Sequence, residues 1–188
     1  MKIIYLAWGS LLWNSRGLKL KDDWKKTNFK LPLNFSRISD NGKGRLTLVI
    51  DQENGNLNNV YYAPTGYRDL NLAIMALKLR EKTTKNHIGY LSLNQSKKRS
   101  KNLSGYQEEV IKDFLREKGY EAVVWTDLEK NFEKYEEKPF TKENAFLYLQ
   151  SKKEKLYTQI LEYIVLSKIY GNIKTNVGEY LIQKEICS

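Results

Sequence analysis

The sequence contains one cysteine and one histidine in 188 residues, and this scarcity excludes several kinds of site. With Cys187 as the only cysteine, the chain cannot form an internal disulfide bond, and a cytoplasmic location is the default expectation. His87 and Cys187 cannot between them supply the cluster of ligands that a structural zinc site needs. We therefore expect no metal ion.

Long apolar runs are also missing. No stretch approaches the roughly 20 apolar residues that cross a bilayer, so we expect no association with a membrane. The short apolar run at the N-terminus has no small-residue cleavage site, which predicts that there is no signal peptide.

The common nucleotide-binding and serine-nucleophile motifs are absent as well. The sequence has no G-x-x-x-x-G-K-[ST] loop, no G-x-G-x-x-G fingerprint and no G-x-S-x-G elbow. These absences argue against nucleotide and dinucleotide enzymes. A carboxylate remains as the candidate acid–base group.

Basic residues are in excess, with a net charge of +10, and 25 of the 32 basic residues are lysine. Such an excess, together with the basic stretch Lys97–Lys101, is one signature of nucleic-acid binding. The combination of lysine with asparagine, isoleucine and tyrosine is also what an AT-rich genome encodes, and basic stretches are often solvated linkers. We favour this second interpretation, and nucleic acid stays an alternative partner.

The hydrophobic fraction of 41% and the aromatic fraction of 12% are typical of a globular protein. Apolar residues alternate in several short segments and recur at helical spacing in others. These patterns predict an α+β fold, in which a mixed, curved β-sheet or small barrel carries packed helices. Residues 1–138 form the predicted body, and residues 139–188 form a helical extension packed on that body.

The first segment is the centre of the predicted fold. Lys2–Trp8 is an almost unbroken apolar run, which is typical of a strand buried on both faces. It ends at Gly9 and Ser10, where glycine permits a sharp turn with positive φ. Backbone amides after such a turn can bind an anion, although a plain turn after a core strand explains the same residues.

A carboxylate continues the apolar stripe of a predicted helix over residues 68–82. Leu70, Ile74 and Leu77 share one face, and Glu81 follows four residues after Leu77. Burial there would raise the pKa of Glu81 and suit it to proton transfer near neutral pH. Alternatively, the helix has already ended and Glu81 points into water.

These two segments resemble the γ-glutamylcyclotransferase family, in particular its ChaC-like branch. In that family the first strand ends in Tyr-Gly-Ser-Leu, and here Gly9, Ser10 and Leu11 match while Trp8 replaces the tyrosine. The branch carries its catalytic glutamate in an Arg-Glu-Lys tripeptide that is followed by Gly-Tyr. Glu81 lies in such a tripeptide, and Tyr90 follows after a longer gap.

The resemblance implies an enzyme, a transferase or lyase, that cyclises a γ-glutamyl group to 5-oxoproline and releases an amine or amino acid. Glu81 would be the general acid and base, and the reaction would need no metal or organic cofactor. Trp8, Gly9, Ser10, Leu11 and Tyr90 would contact the small-molecule substrate. Two alternatives stay open: a catalytically inactive member of the fold that binds a ligand or a protein, and a basic nucleic-acid-binding protein. The oligomeric state does not follow from the sequence.

Overall fold

The computed structural model describes residues 1–40, 44–94 and 97–186, and its central element is strand β1 (Ile3–Ala7). Successive side chains of a strand point to opposite faces. Leu6 therefore joins the larger hydrophobic core on one face of the sheet, while Tyr5 joins a smaller core on the other. β1 is fourth in the strand order, which confirms the central strand predicted from Lys2–Trp8.

Within the described residues, six further strands complete one mixed sheet. They are β2 (Lys25–Ser39), β3 (Arg45–Ile50), β4 (Asn56–Pro64), β5 (Ile88–Ser92), β6 (Lys98–Arg99) and β7 (Ala122–Thr126). The strand order is β3-β2-β4-β1-β7-β5-β6, and only β1 and β7 pair in parallel. A barrel would require the two edge strands to pair. Because β3 and β6 lie at opposite ends of the order, the described sheet is open. The α+β class and the mixed sheet are confirmed, and the small barrel is wrong.

Six α-helices in the described residues cover the two faces of the sheet. They are α1 (Leu70–Glu81), α2 (Gly105–Lys118), α3 (Phe132–Glu136), α4 (Lys142–Gln150), α5 (Glu154–Gly171) and α6 (Asn176–Ile186). Helix α1 packs on the smaller core, and buried residues of the other five helices belong to the larger core. None of the described helices combines the length and the apolar composition that crossing a membrane requires.

Helix α5 packs on the larger core with a face that follows its apolar residues only in part. The apolar residues that recur at helical spacing in this segment are Tyr157, Ile160, Leu161, Ile164, Val165 and Ile169. Ile160 and Ile164 are buried as this pattern predicts, whereas Val165 and Ile169 are exposed. The buried face also contains Tyr163, Ser167 and Gly171. Small residues let the helix come close to the segment after β1: a Cβ on Gly171 would lie 3.1 Å from the Cδ1 atom of Leu12.

Apolar residues alternate over Phe29–Ser36, which predicts a strand there, but strand β2 begins earlier, at Lys25. Its pairing with β4 shifts register between Lys26 and Lys30. Within this irregular segment the Thr27 hydroxyl hydrogen-bonds to the carbonyl oxygens of Phe29 at 2.8 Å and Val60 at 3.0 Å. Because these hydrogen bonds satisfy the buried Thr27 hydroxyl, the strand can include this polar residue.

Candidate active site

The turn after β1 requires glycine for two reasons. Gly9 has φ +68°, a left-handed conformation in which a side chain is strained. A Cβ at this position would also lie only 2.5 Å from the hydroxyl oxygen of Tyr163. The chain then forms a single 3₁₀ turn over Gly9–Leu11, and the amide of Asn14 donates to the Ser10 carbonyl oxygen at 2.9 Å. Residues from both ends of the chain thus shape this turn.

Glu81 is the last residue of α1, and its side chain is largely buried. Asp69 caps the start of the helix by accepting a hydrogen bond from the Leu72 amide, and Lys82 ends it in a left-handed conformation. The Glu81 side chain retains 17% of its exposure. The structure therefore agrees with the buried position that the apolar stripe favours, and not with a side chain directed into water.

Arg80 joins Glu81 to the turn after β1. Its Nη1 atom lies 2.7 Å from the Oε1 atom of Glu81. Its Nη2 atom donates to the carbonyl oxygen of Ser10 at 3.2 Å, to the Ser10 hydroxyl at 3.3 Å and to the carbonyl oxygen of Asn14. A guanidinium can make these contacts together because its donors form a fixed planar array. The two matched sequence segments are thus in direct contact.

Burial raises the pKa of the Glu81 carboxyl above its ordinary value. The neighbouring charge and hydrogen bond of Arg80 oppose this increase, and the charge of Arg45 opposes it to a smaller extent. Desolvation disfavours the ionised carboxylate, whereas a nearby positive charge favours it. The net effect is a carboxyl that takes up and releases a proton closer to neutral pH than an exposed glutamate.

Glu81 faces a cavity of about 300 Å³ that Trp8, Ser10 and Leu11 also line. Four of the six residues predicted for the site therefore lie around one space. Gly9 forms the turn between two of them and lies against Tyr163.

Tyr90 lies elsewhere. It is on β5, packs beside the smaller core, and has the guanidinium of Arg99 5.9 Å from its ring centre. Tyr90 does not line the cavity that Glu81 faces.

The sequence did not point to several residues that line the same cavity. Arg37 on β2, Arg45 on β3 and Tyr163 on α5 come from distant parts of the chain. Tyr163 lies three residues after Ile160, at helical spacing, which is the one signal that could have found it. The sequence predicts a turn that begins at Arg37 and a strand that contains Arg45, and a charged residue in either position usually faces solvent.

His87 also lines the cavity, and its Nδ1 atom lies 2.8 Å from the hydroxyl oxygen of Thr83. Burial lowers the pKa of this imidazole, which keeps it neutral at physiological pH. The described residues hold no group of three or more His, Cys, Asp and Glu side chains that could bind a metal ion. Cys187 lies outside the described residues.

A second cavity, of about 1000 Å³, adjoins the first. Ser10, Arg45, Arg80, Lys82 and Tyr163 line both spaces. Trp13, Tyr67 and other residues of α1, α5 and the segment after β1 complete the second space. A ligand can therefore extend from the small cavity into the larger one past these shared side chains.

The basic stretch Lys97–Lys101 is partly neutralised by acidic neighbours. Lys98 pairs with Glu108 at 2.7 Å, and Lys101 pairs with Glu129 at 3.2 Å. These contacts are typical of a surface segment held by ion pairs.

Comparison with known proteins gave no match to any family model, to any curated protein or to any solved structure. The family resemblance therefore rests on the two sequence motifs.

Proposed function

We propose that this protein is a γ-glutamylcyclotransferase-like enzyme that converts a γ-glutamyl group into 5-oxoproline and releases an amine or amino acid. The observation that carries the proposal is the position of Glu81. Its largely buried carboxyl, with a raised pKa, faces the same cavity as Ser10 and Leu11. A carboxyl of this kind suits a reaction in which one group first accepts and then donates a proton.

The proposed reaction is an intramolecular acyl transfer. Ionised Glu81 accepts a proton from the α-ammonium of the γ-glutamyl group, and the free amine attacks the γ-carbonyl carbon. A new C–N bond closes the five-membered ring as the original amide C–N bond breaks. Protonated Glu81 then gives its proton to the departing nitrogen. The attacking nitrogen loses its second proton as the lactam forms, and the released amine takes up one proton to become an ammonium, so the protons balance. No water, metal or electron carrier is consumed in this sequence.

The sizes of the two cavities suit this division of the substrate. The smaller space holds Glu81 and has room for a glutamyl group, while the adjoining space can accept the amine part. Binding the glutamyl end against the Gly9–Leu11 turn would hold amine and carbonyl close together, and such positioning lowers the barrier to cyclisation. Arg80 would keep the Glu81 carboxyl oriented through its contact at 2.7 Å.

The direct test is to incubate the purified protein with glutathione, γ-glutamyl dipeptides and γ-glutamyl amines, and to measure 5-oxoproline release. The proposal predicts release from at least one class of compound above the non-enzymatic rate. Equal amounts of 5-oxoproline and free amine should appear, because each cyclisation produces one of each. Release from none of the three classes would contradict the proposal and favour an inactive ligand-binding protein.

A further inference from the structure

Arg45 differs from the other arginines of the smaller cavity in its partners. Arg37 has the carboxylate of Asp40 at 3.7 Å, and Arg80 has that of Glu81 at 2.7 Å. Among the described residues, no carboxylate lies within 4 Å of the Arg45 guanidinium. The Arg45 Nε atom is buried and has no hydrogen-bond partner in the described part of the chain. A buried donor without a partner destabilises a fold unless something satisfies it.

The Arg45 guanidinium is nevertheless held in one place. Its central carbon lies 4.3 Å from the ring centre of Tyr163, within the range of a cation–π contact. Tyr163 is itself buried in the larger core and packs edge-on against Phe35. A guanidinium stacked on a fixed ring loses less conformational freedom when it binds an anion than a mobile side chain would.

Arg45 also lies where the two cavities meet, because it lines both of them. Its charge is close enough to Glu81 to lower the pKa of that carboxyl. An anion at Arg45 would therefore lie near the candidate acid–base group and could extend into either space.

We infer that Arg45 binds a carboxylate group of the ligand at the junction of the two cavities. A planar carboxylate matches the paired donors of a guanidinium. A doubly charged phosphate fits less well, because the neighbouring Glu81 carboxyl adds negative charge to the same region. The inference goes beyond the cyclisation chemistry, since a catalytically inactive chain would bind the same group.

The test is calorimetric titration of the full-length protein with two matched pairs of probes. The pairs are 5-oxoproline with its carboxamide, and glutaric acid monoamide with glutaramide, and inorganic phosphate is the fifth probe. At least one carboxylate probe should bind, and its uncharged partner should bind about 10- to 100-fold more weakly, which is the range for a charged hydrogen bond.

Three variants locate the binding group. Arg45→Gln should weaken binding of the carboxylate probe by about 10- to 100-fold. Arg45→Lys should weaken binding less, because lysine keeps the charge without the planar pair of donors. Arg116→Gln is the matched control, since Arg116 is on α2 and pairs with Asp113 at 2.6 Å; it should bind as the wild type does. If Arg45→Gln does not fold, Arg45→Lys still provides the comparison.

Three results would overturn the inference: no carboxylate probe binds to the wild type, neither Arg45 variant weakens binding, or phosphate binds more tightly than every carboxylate. The cyclisation proposal is tested separately by 5-oxoproline release. A protein that binds carboxylates through Arg45 and releases no 5-oxoproline would support this inference and contradict that proposal.

Discussion

Tyr163 lies directly against Gly9, although 153 residues separate them in the chain: a Cβ on Gly9 would come within 2.5 Å of the tyrosine hydroxyl oxygen. Helix α5 therefore forms one wall of the turn that follows β1. The C-terminal helices contribute to the candidate site as well as to the core, and substitutions at this contact should affect both.

Gly9→Ala should destabilise the protein by about 2–4 kcal/mol, because the left-handed conformation and the collision with Tyr163 both add to the cost. Gly119→Ala is the matched control. Gly119 has a similar φ of +70°, but a Cβ there would meet nothing within 4 Å, so only the conformational cost of about 1–2 kcal/mol remains. Denaturant unfolding of both variants measures the difference.

Combining Gly9→Ala with Tyr163→Phe should recover part of the lost stability, because the atom nearest to the new methyl group is removed. The change in the free energy of unfolding of the double variant is compared with the sum of the changes in the two single variants. Strict additivity would show that the hydroxyl does not cause the collision.

Glu81→Gln should reduce 5-oxoproline release by about 10²–10⁴-fold, because glutamine keeps the shape of the side chain but cannot accept the ammonium proton. Glu109→Gln is the control, since that side chain is exposed and lies on α2; its turnover should equal that of the wild type. Undiminished release by the Glu81 variant would exclude Glu81 as the acid–base group.

The pH dependence of turnover should report the raised pKa of Glu81. Ionised Glu81 is the proposed base, so kcat/KM should rise with pH through a pKa above the ordinary glutamate value of about 4.3. Arg80 lowers this pKa, and Arg80→Gln should therefore move the acid limb to higher pH. Arg80→Lys keeps the charge and should leave the limb closer to that of the wild type. An unmoved limb in Arg80→Gln would contradict the assignment to Glu81.

Stability should show the same ionisation without any substrate. The pKa of Glu81 is higher in the folded state than in the unfolded state. Its favourable contribution to the free energy of unfolding is therefore fully present below the unfolded-state pKa. That contribution is lost as the pH rises through the folded pKa. The melting temperature of the wild type relative to Glu81→Gln should therefore fall with increasing pH, and a constant difference would contradict the shift.

The C-terminal helices should behave as part of the core. Leu181→Ala on α6 removes a fully buried side chain and should cost about 2–5 kcal/mol, whereas Leu147→Ala on α4 removes an exposed one and should cost about 0.5 kcal/mol or less. Equilibrium unfolding measures both. Equal, small effects would indicate that the helices contribute little to the stability of the body.

Local signals explain which elements the sequence predicted well. In the sequence, Ser104 is a preferred N-cap residue and precedes a helical pattern over about residues 105–118; α2 has these bounds, with a reciprocal capping contact between Ser104 and Gln107. A cap and its helix lie within a few residues of each other, so their energies depend on local sequence. The buried run of β1 was equally clear, because a strand covered on both faces is apolar throughout.

Pro32 shows where local reasoning failed. A proline within a strand favours an edge position or a bulge, but β2 lies between β3 and β4. On the β4 side, Pro32 pairs with Leu57. On the β3 side, the regular pairing of β2 with β3 ends at Leu33, one residue before it would include Pro32. The position of the ladder's end depends on the neighbouring strand, which the local sequence does not specify.

The sequence by itself determined the central strand, the glycine turn that follows it, the bounds of α2 and the helical position of Glu81, because each depends on residues that are neighbours in the chain. Only the tertiary structure decided that the sheet stays open, that Arg80 connects Glu81 to the turn, and that Arg45 and Tyr163 share the cavity with them. These contacts join residues from β1, α1, β3 and α5. Their formation depends on how strands pair and how a helix face packs, and neither is encoded in the spacing of any single segment.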